Sequence, residues 1–221
     1  MSVKEFFGVP LVVLDVESDV REAIREAIRD KVHAYLESAH AKEVVVLAPQ
    51  ESVVTSYYRP DASILADAKL EELERFTLRA GKEYLEQTLE LPPRKLEVAD
   101  SWINVFPPGA QESQHTHDGR LLSCSYYVDA PENCGYIVFP DPIPVRRSYR
   151  EFTGTTGEGL MTRPEIAIEP KPGRLVMFES WMPHAVLCNK SDEVRISIAI
   201  NLKGFPQTTA VAPDGGGAVP S

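Results

Sequence analysis

The sequence predicts a mainly β domain with flanking helices, built as a sandwich or a double-sheet jelly roll. Three observations predict it. From Leu96 onward, seven or eight short strand-like runs follow one another, separated by Pro, Gly, Asn and Asp clusters and with no helical repeat between them. Apolar residues recur at helical spacing in only two stretches, both before Pro92. A chain of 221 residues, 43% hydrophobic and 25% charged, is long enough for one proper core and ordinary for a soluble globular protein.

The elements follow in order. The opening MSVKEFFGVPLVVLDVESD has one lysine, a short apolar stretch and no small-residue cleavage site, so it reads as a strand of the mature protein and not as a signal peptide. After Ser18 and Asp19, with Glu22 placed to complete a capping box, Val20, Ile24, Ile28, Val32 and Leu36 share one helix face. EVVVLAP and SVVTSYY then look like short strands. A second helix is expected from about Ala66 to Leu91, with Leu70, Leu73, Phe76, Ala80 and Tyr84 on its apolar stripe and Pro92-Pro93 as its stop. The β series is LEVADSWINVF, LLSCSYYV, GYIVF, EIAIEP, RLVMFES, HAVLC and RISIAINL, and the two helices are expected against one outer face. Residues 1–203 form one domain in this reading, with strands and support helices in 1–95 and the β core in 96–203. Residues 204–221, rich in Pro, Gly and Thr, are expected to be a flexible tail.

A formal net charge of −10 argues against general affinity for nucleic acid or an anionic membrane, and no apolar run approaches the roughly 20 residues that span a bilayer. Cys124, Cys134 and Cys188 are too few for a disulfide framework, which suits a reducing compartment and a cytoplasmic address. A homodimer is the commonest assembly for such a chain.

Side-chain alternation points to a polar interior. In RISIAINL, Ile196, Ile198, Ile200 and Leu202 share one face, while Arg195, Ser197, Ala199 and Asn201 share the other. In LLSCSYYV, Ser123, Ser125 and Tyr127 oppose Leu122, Cys124, Tyr126 and Val128. Trp102, Asn104 and Phe106 alternate with Ile103 and Val105. If these polar faces converge, they line a pocket in which Arg195 requires an anion to offset its desolvation. A ligand carboxylate would meet that need by bidentate hydrogen bonding, helped by the Ser197 hydroxyl.

Two of the five histidines stand in QHTHDG. On a strand, His115 and His117 point the same way, close enough to share one metal ion, whereas Asp118 points away unless the chain turns at Gly119. A third ligand should come from another strand, and His184 is the late histidine. His33 and His40, in or just after the first helix, are expected at the surface.

The ordered set resembles the non-haem Fe(II), 2-oxoglutarate-dependent oxygenases, more narrowly their bacterial branch related to prolyl hydroxylases. The resemblance is carried by W-I-N (102–104), Q-H-T-H (114–117), L-S-C-S-Y-Y-V (122–128), C-G-Y-I-V-F-P-D-P (134–142), G-R-L-V-M-F-E-S-W-M-P-H (173–184) and R-I-S-I-A-I-N (195–201). With FFGVPLVVLDV at the N-terminus it covers nearly the whole chain.

The resemblance implies a double-stranded β-helix, the cupin-like jelly roll, with a facial triad of iron ligands and open positions beside them. It places His115 first and His184 last. Position 117 holds histidine where the usual carboxylate would stand, and three answers remain: His117 itself binds, Asp118 bends in, or neither binds and another ligand enters, as in relatives that transfer halide. Strand geometry favours His117. By the same resemblance Arg195 and Ser197 hold the distal carboxylate of 2-oxoglutarate and Tyr127 bonds the same end. Asn104 and Asn201 orient the co-substrate or substrate. The implied activity is a dioxygenase using Fe(II), 2-oxoglutarate and O2, hydroxylating a small metabolite or an amino-acid side chain. Residues 141–165 would be a glycine-hinged lid, whose Arg146, Arg147 and Arg150 would suit an acidic substrate. The alternatives are a three-histidine cupin dioxygenase that does not use 2-oxoglutarate, against which Arg195 and Ser197 speak, and a non-catalytic jelly-roll binding protein.

Overall fold

The structure, a computed structural model, describes residues 8–37, 53–57, 63–92, 94–143 and 164–206, with Ser148, Phe152 and Gly154 between. Along the chain run β1 (Val12–Asp15), α1 (Ser18–Glu37), β2 (Val54–Thr55) and α2 (Glu71–Glu83). Then come β3 (Arg94–Phe106), β4 (Glu112–His115), β5 (Leu122–Asp129), β6 (Ile137–Pro140), β7 (Glu165–Ile168), β8 (Arg174–Glu179), β9 (His184–Val186) and β10 (Arg195–Pro206). From β3 onward the chain passes repeatedly between two antiparallel sheets. The larger has the order β1-β8-β5-β10-β3-β2 and the smaller β4-β9-β6-β7. That alternation is the double-stranded β-helix.

The alternation of side chains decides which face of the larger sheet the helices cover. Ile196, Ile198, Ile200 and Leu202 of β10 join Ile103, Val105, Cys124, Tyr126 and Val128 in one core, and Ile24, Ile28, Val32, Leu70, Leu73, Ala80 and Tyr84 close it from the helical side. Full burial of each such aliphatic chain contributes roughly 1.5–3 kcal/mol. Gly81 marks a close approach, because a Cβ there would lie 2.9 Å from the Leu202 side chain and 3.1 Å from that of Leu96. The opposite face of the same sheet looks into the roll.

The seven runs expected from Leu96 onward all appear as strands, and β10 continues three residues past 203, to Pro206. The second helix is not continuous from Ala66. Asp67 has extended backbone (φ −77, ψ 126), its carboxylate accepting from the Lys69 amide, so two short 3-10 turns precede Glu71. At the other end the backbone widens into a π turn over Tyr84–Thr88, which buries both Tyr84 and Leu85; the Tyr84 hydroxyl donates to the Pro10 carbonyl at 2.6 Å. EVVVLAP, His40, the arginines 146, 147 and 150 and residues 207–221 lie outside the described residues. Cys124, Cys134 and Cys188 are free thiols. No described helix is long and apolar enough to cross a membrane.

Candidate active site

β4 and β9 pair antiparallel with His115 directly opposite His184, so a cross-strand pair joins residues 69 positions apart in sequence. Their rings are 4.3 Å apart, centroid to centroid. β4 ends at His115. His117 follows it in a turn, its amide donating to the Ser180 carbonyl at 3.0 Å, and its ring lies 5.1 Å from each of the other two. The expectation that one strand carries both early histidines is thus corrected: a turn pinned to Ser180, and not strand alternation, aims His117 inward. One ligand atom from each of the three histidines lies within 4.8 Å of the others, a set able to hold a metal ion. Asp118 takes no part in that set; it is exposed and accepts a hydrogen bond from the Thr116 hydroxyl at 3.2 Å.

The second ring nitrogens are occupied by backbone. His115 Nδ1 lies 2.8 Å from the Ser113 carbonyl and His184 Nδ1 3.0 Å from the Met182 carbonyl. A carbonyl only accepts, so each Nδ1 carries a proton and each Nε2 is the nitrogen left to face a metal. Burial, reinforced by the neighbouring His115, pushes the pKa of His117 down to about 4 and that of His184 down to about 3. Both are therefore neutral at neutral pH, the form that coordinates.

Arg195, 1% exposed, leads the inner face of β10 into the same cavity. Its Cζ lies 3.9 Å above the Phe106 ring and 5.7 Å from that of Tyr127. Nη1 donates to the Gly135 carbonyl at 3.1 Å, whereas Nε is buried without a partner. Gly135 has φ +86, and a Cβ there would meet the Leu187 carbonyl oxygen at 2.0 Å, so only glycine can present that acceptor. Burial lowers the Arg195 pKa, opposed by Tyr127, Cys134 and then Glu112. Ser197 is aligned with Asn104 on β3 and with Tyr127 on β5, one row across three strands. Asn104 Oδ1 is buried without a partner. Burial raises the Tyr127 pKa against the pull of Arg195, keeping it a neutral phenol.

The cavity is lined by Asn104, His115, His117, His184, Arg195 and Ser197, with Trp102, Phe106, Phe178 and Glu112 completing its walls. Tyr127 is buried beside the guanidinium, packed with Ile137, Phe139, Val176 and Phe178. Asn201 is placed elsewhere. Its amide donates to Asp100 at 2.6 Å and its oxygen accepts from Ser123 at 2.8 Å; Ser123 also pairs with Ser180 at 2.8 Å. Asn201 therefore ties the turn that holds His117 to the larger sheet and does not line the cavity. Sequence reasoning missed Glu112, because QES gives no strand signal, and Gly135, whose contribution is a backbone carbonyl.

The donor set fits a first-row divalent ion such as Fe(II), and the orphaned Nε–H of Arg195 fits an anionic ligand in the same cavity. Fold and site together define a jelly-roll protein with a three-histidine cluster able to hold a metal beside a buried arginine. Residues 100–201 match the family described as "Putative 2OG-Fe(II) oxygenase". The match and the three histidines indicate an oxidoreductase that uses Fe(II) and 2-oxoglutarate.

Solved structures share the fold. A Pseudomonas putida prolyl-4-hydroxylase is 18% identical with a TM-score of 0.53, over 88% of this chain and 92% of that one. A Trichoplax adhaerens prolyl hydroxylase in complex with a hypoxia-inducible-factor peptide is 12% identical with a TM-score of 0.60, over 87% and 83%. HygX from Streptomyces hygroscopicus, with nickel and 2-oxoglutarate bound, is 10% identical with a TM-score of 0.55, over 88% and 83%. No curated protein sequence matches the chain.

Proposed function

We propose that this oxygenase hydroxylates a C–H bond of a small metabolite or an amino-acid side chain, with His115, His117 and His184 holding Fe(II) and with Arg195 and Ser197 holding the distal carboxylate of 2-oxoglutarate. The observation that carries the reading is one cavity with three convergent imidazoles at one end and a fully buried guanidinium, its Nε unpaired, at the other. When bound, Fe(II) and 2-oxoglutarate supply the oxidising chemistry, in which O2 is consumed, succinate and CO2 are released and one oxygen atom enters the substrate.

The chain's own residues supply placement. The Ser113 and Met182 carbonyls lock the tautomers of His115 and His184 so that their Nε2 atoms face the ion. The planar fork of Arg195, stacked on Phe106, aims a pair of N–H groups that a carboxylate can accept. Asn104 adds an acceptor and Ser197 a hydroxyl on the same wall, and Tyr127 stiffens the guanidinium from behind. Phe178, Ile137 and Val186 form a dry wall that excludes water from the reacting centre. A prolyl-4-hydroxylase and an epimerase from nogalamycin biosynthesis among the structural relatives are consistent with either substrate class.

The test is succinate formation by the purified chain with Fe(II), 2-oxoglutarate and O2. Fe(II)-dependent succinate is the expected result, lost in His115→Ala and His184→Ala. Parent protein that releases none under anaerobic loading and aerobic start would sink the assignment.

A further inference from the structure

Glu112 is a charged side chain in the cavity that the pattern of histidines and arginine leaves without a part. It opens β4, at the outer edge of the smaller sheet, and the β4–β9 register is broken between Glu112 and His115. In a regular strand, residues three apart point to opposite faces. The break brings both side chains into the cavity instead. Glu112 Oε1 lies 3.9 Å from His115 Nε2, the nitrogen that the Ser113 carbonyl leaves free. Two ligand atoms bound side by side to one ion are roughly 3 Å apart, given metal–ligand bonds of about 2.1 Å. Glu112 lies beside the first ligand but outside the set of ligand atoms within 4.8 Å of one another, so the side chain must move inward to coordinate.

Charge and space both give that movement a direction. Three imidazole ligands bring no negative charge to a divalent ion, and Asp118 is turned away to Thr116. The cavity holds about 40 Å³, room for roughly three waters at 10–15 Å³ each and far less than the roughly 300–1,000 Å³ of small-molecule sites. A dicarboxylic acid needs more room than this, and movement of a lining side chain would provide it. Glu112 is an unbranched side chain, 28% exposed and on an irregular edge strand.

We infer that Glu112 is the carboxylate of the resting metal centre: it closes on the ion held by His115, His117 and His184, and swings out when 2-oxoglutarate takes its place. This rests on the reading of the three histidines as ligands. The co-substrate then competes with an internal carboxylate, so removing that carboxylate has two effects of opposite sign. Metal binding without 2-oxoglutarate weakens, because a ligand is lost. Binding of 2-oxoglutarate tightens, because the competent, open state no longer has to be populated against a closed one.

Glu112→Gln, probed with Co(II), reads both. Calorimetric titration without 2-oxoglutarate is expected to show Co(II) bound about tenfold more weakly or worse, with a changed visible absorption band reporting the altered ligand set. Titration of 2-oxoglutarate into the Co(II)-loaded variant is expected to show severalfold tighter binding than in the parent. Unchanged Co(II) affinity and band, or 2-oxoglutarate binding that does not tighten, overturns the inference. Should the glutamine variant fail to fold, Glu112→Asp draws the carboxylate back by one methylene. Effects of the same sign support the inference and parent-like behaviour overturns it. His117→Ala and His184→Ala in the same titrations separate the two levels. If they bind Co(II) like the parent, the ligand reading is wrong; if they lose it while Glu112→Gln does not, only the role of Glu112 fails.

Discussion

The two faces of β10 are made by the same eight residues of one strand and meet opposite fates. One carries Ile196, Ile198, Ile200 and Leu202 into the core under the helices; the other carries Arg195, Ser197 and Ala199 into the cavity and Asn201 into the hydrogen-bonded network beside it. Both faces are buried, which is why burial alone does not distinguish them. The apolar face gains free energy from leaving water. The polar face loses it, by stripping a guanidinium and an asparagine of solvent, and is tolerable only where partners or a ligand restore the hydrogen bonds. Stability resides on one face, function on the other, and substitutions should separate the two.

The largest separation is expected at His184. His184→Ala should abolish Fe(II) binding and succinate formation while the metal-free variant unfolds near the parent temperature; retained iron would erase the distinction between the faces. Next is the opposite face of the same sheet. Ile198→Ala should lower the unfolding free energy by about 2–5 kcal/mol, the usual cost of emptying a fully buried aliphatic site, with metal and 2-oxoglutarate affinities of the folded fraction unchanged. Denaturant unfolding and calorimetry on one sample would decide it.

Arg195→Met sharpens the comparison from the polar side. Replacing a buried charge by an apolar chain of similar length is often neutral or stabilising by about 1–4 kcal/mol, yet 2-oxoglutarate should bind roughly 30-fold more weakly or worse, as expected for a truncated buried charge contact worth about 2–5 kcal/mol. A variant that is both less stable and unimpaired in 2-oxoglutarate binding would contradict the role given to Arg195.

The smallest effect lies at the rim, where Asp15 of β1 receives both Arg174 Nε at 2.8 Å and Nη2 at 3.0 Å. That hydrogen bonding, with the charges of Arg174 and Lys171, holds the Asp15 carboxyl below its ordinary 3.8. A depressed carboxylate stabilises the fold above its unfolded pKa and loses that contribution as the pH falls through the folded value. The side chain is 61% exposed, so screening keeps the contribution below about 1 kcal/mol. Asp15→Asn should melt slightly below the parent at pH 7, and the gap should narrow as the pH falls below 3.8.

Much of this was legible in the residues. Period-two alternation located the strands from β3 to β10 apart from β4, because side chains on a strand must choose between two faces and the choice shows in their chemistry. The same alternation put Arg195, Ser197 and Asn104 on one wall before any coordinate. Three features were not legible. The helix over 66–91 is broken at Asp67 and widened at Tyr84, since Asp67 and the buried Tyr84–Leu85 pair satisfy tertiary demands that a periodic stripe does not express. Asn201 faces the expected way but is consumed by Asp100 and Ser123. β4 is too short and polar to announce itself, and so Glu112 went unseen.

The sequence alone determined which side chains are apolar or polar at which period, and therefore the strands, the helical stripes and the inventory of imidazoles and guanidinium; these are local properties of neighbouring residues. Only the tertiary structure decided that His115 faces His184 across β4 and β9, that a turn held by Ser180 swings His117 to join them, and that a register break turns Glu112 inward. Those outcomes depend on which strands pair and in what register, a choice made by the packing of the whole roll and carried by no short stretch of the chain.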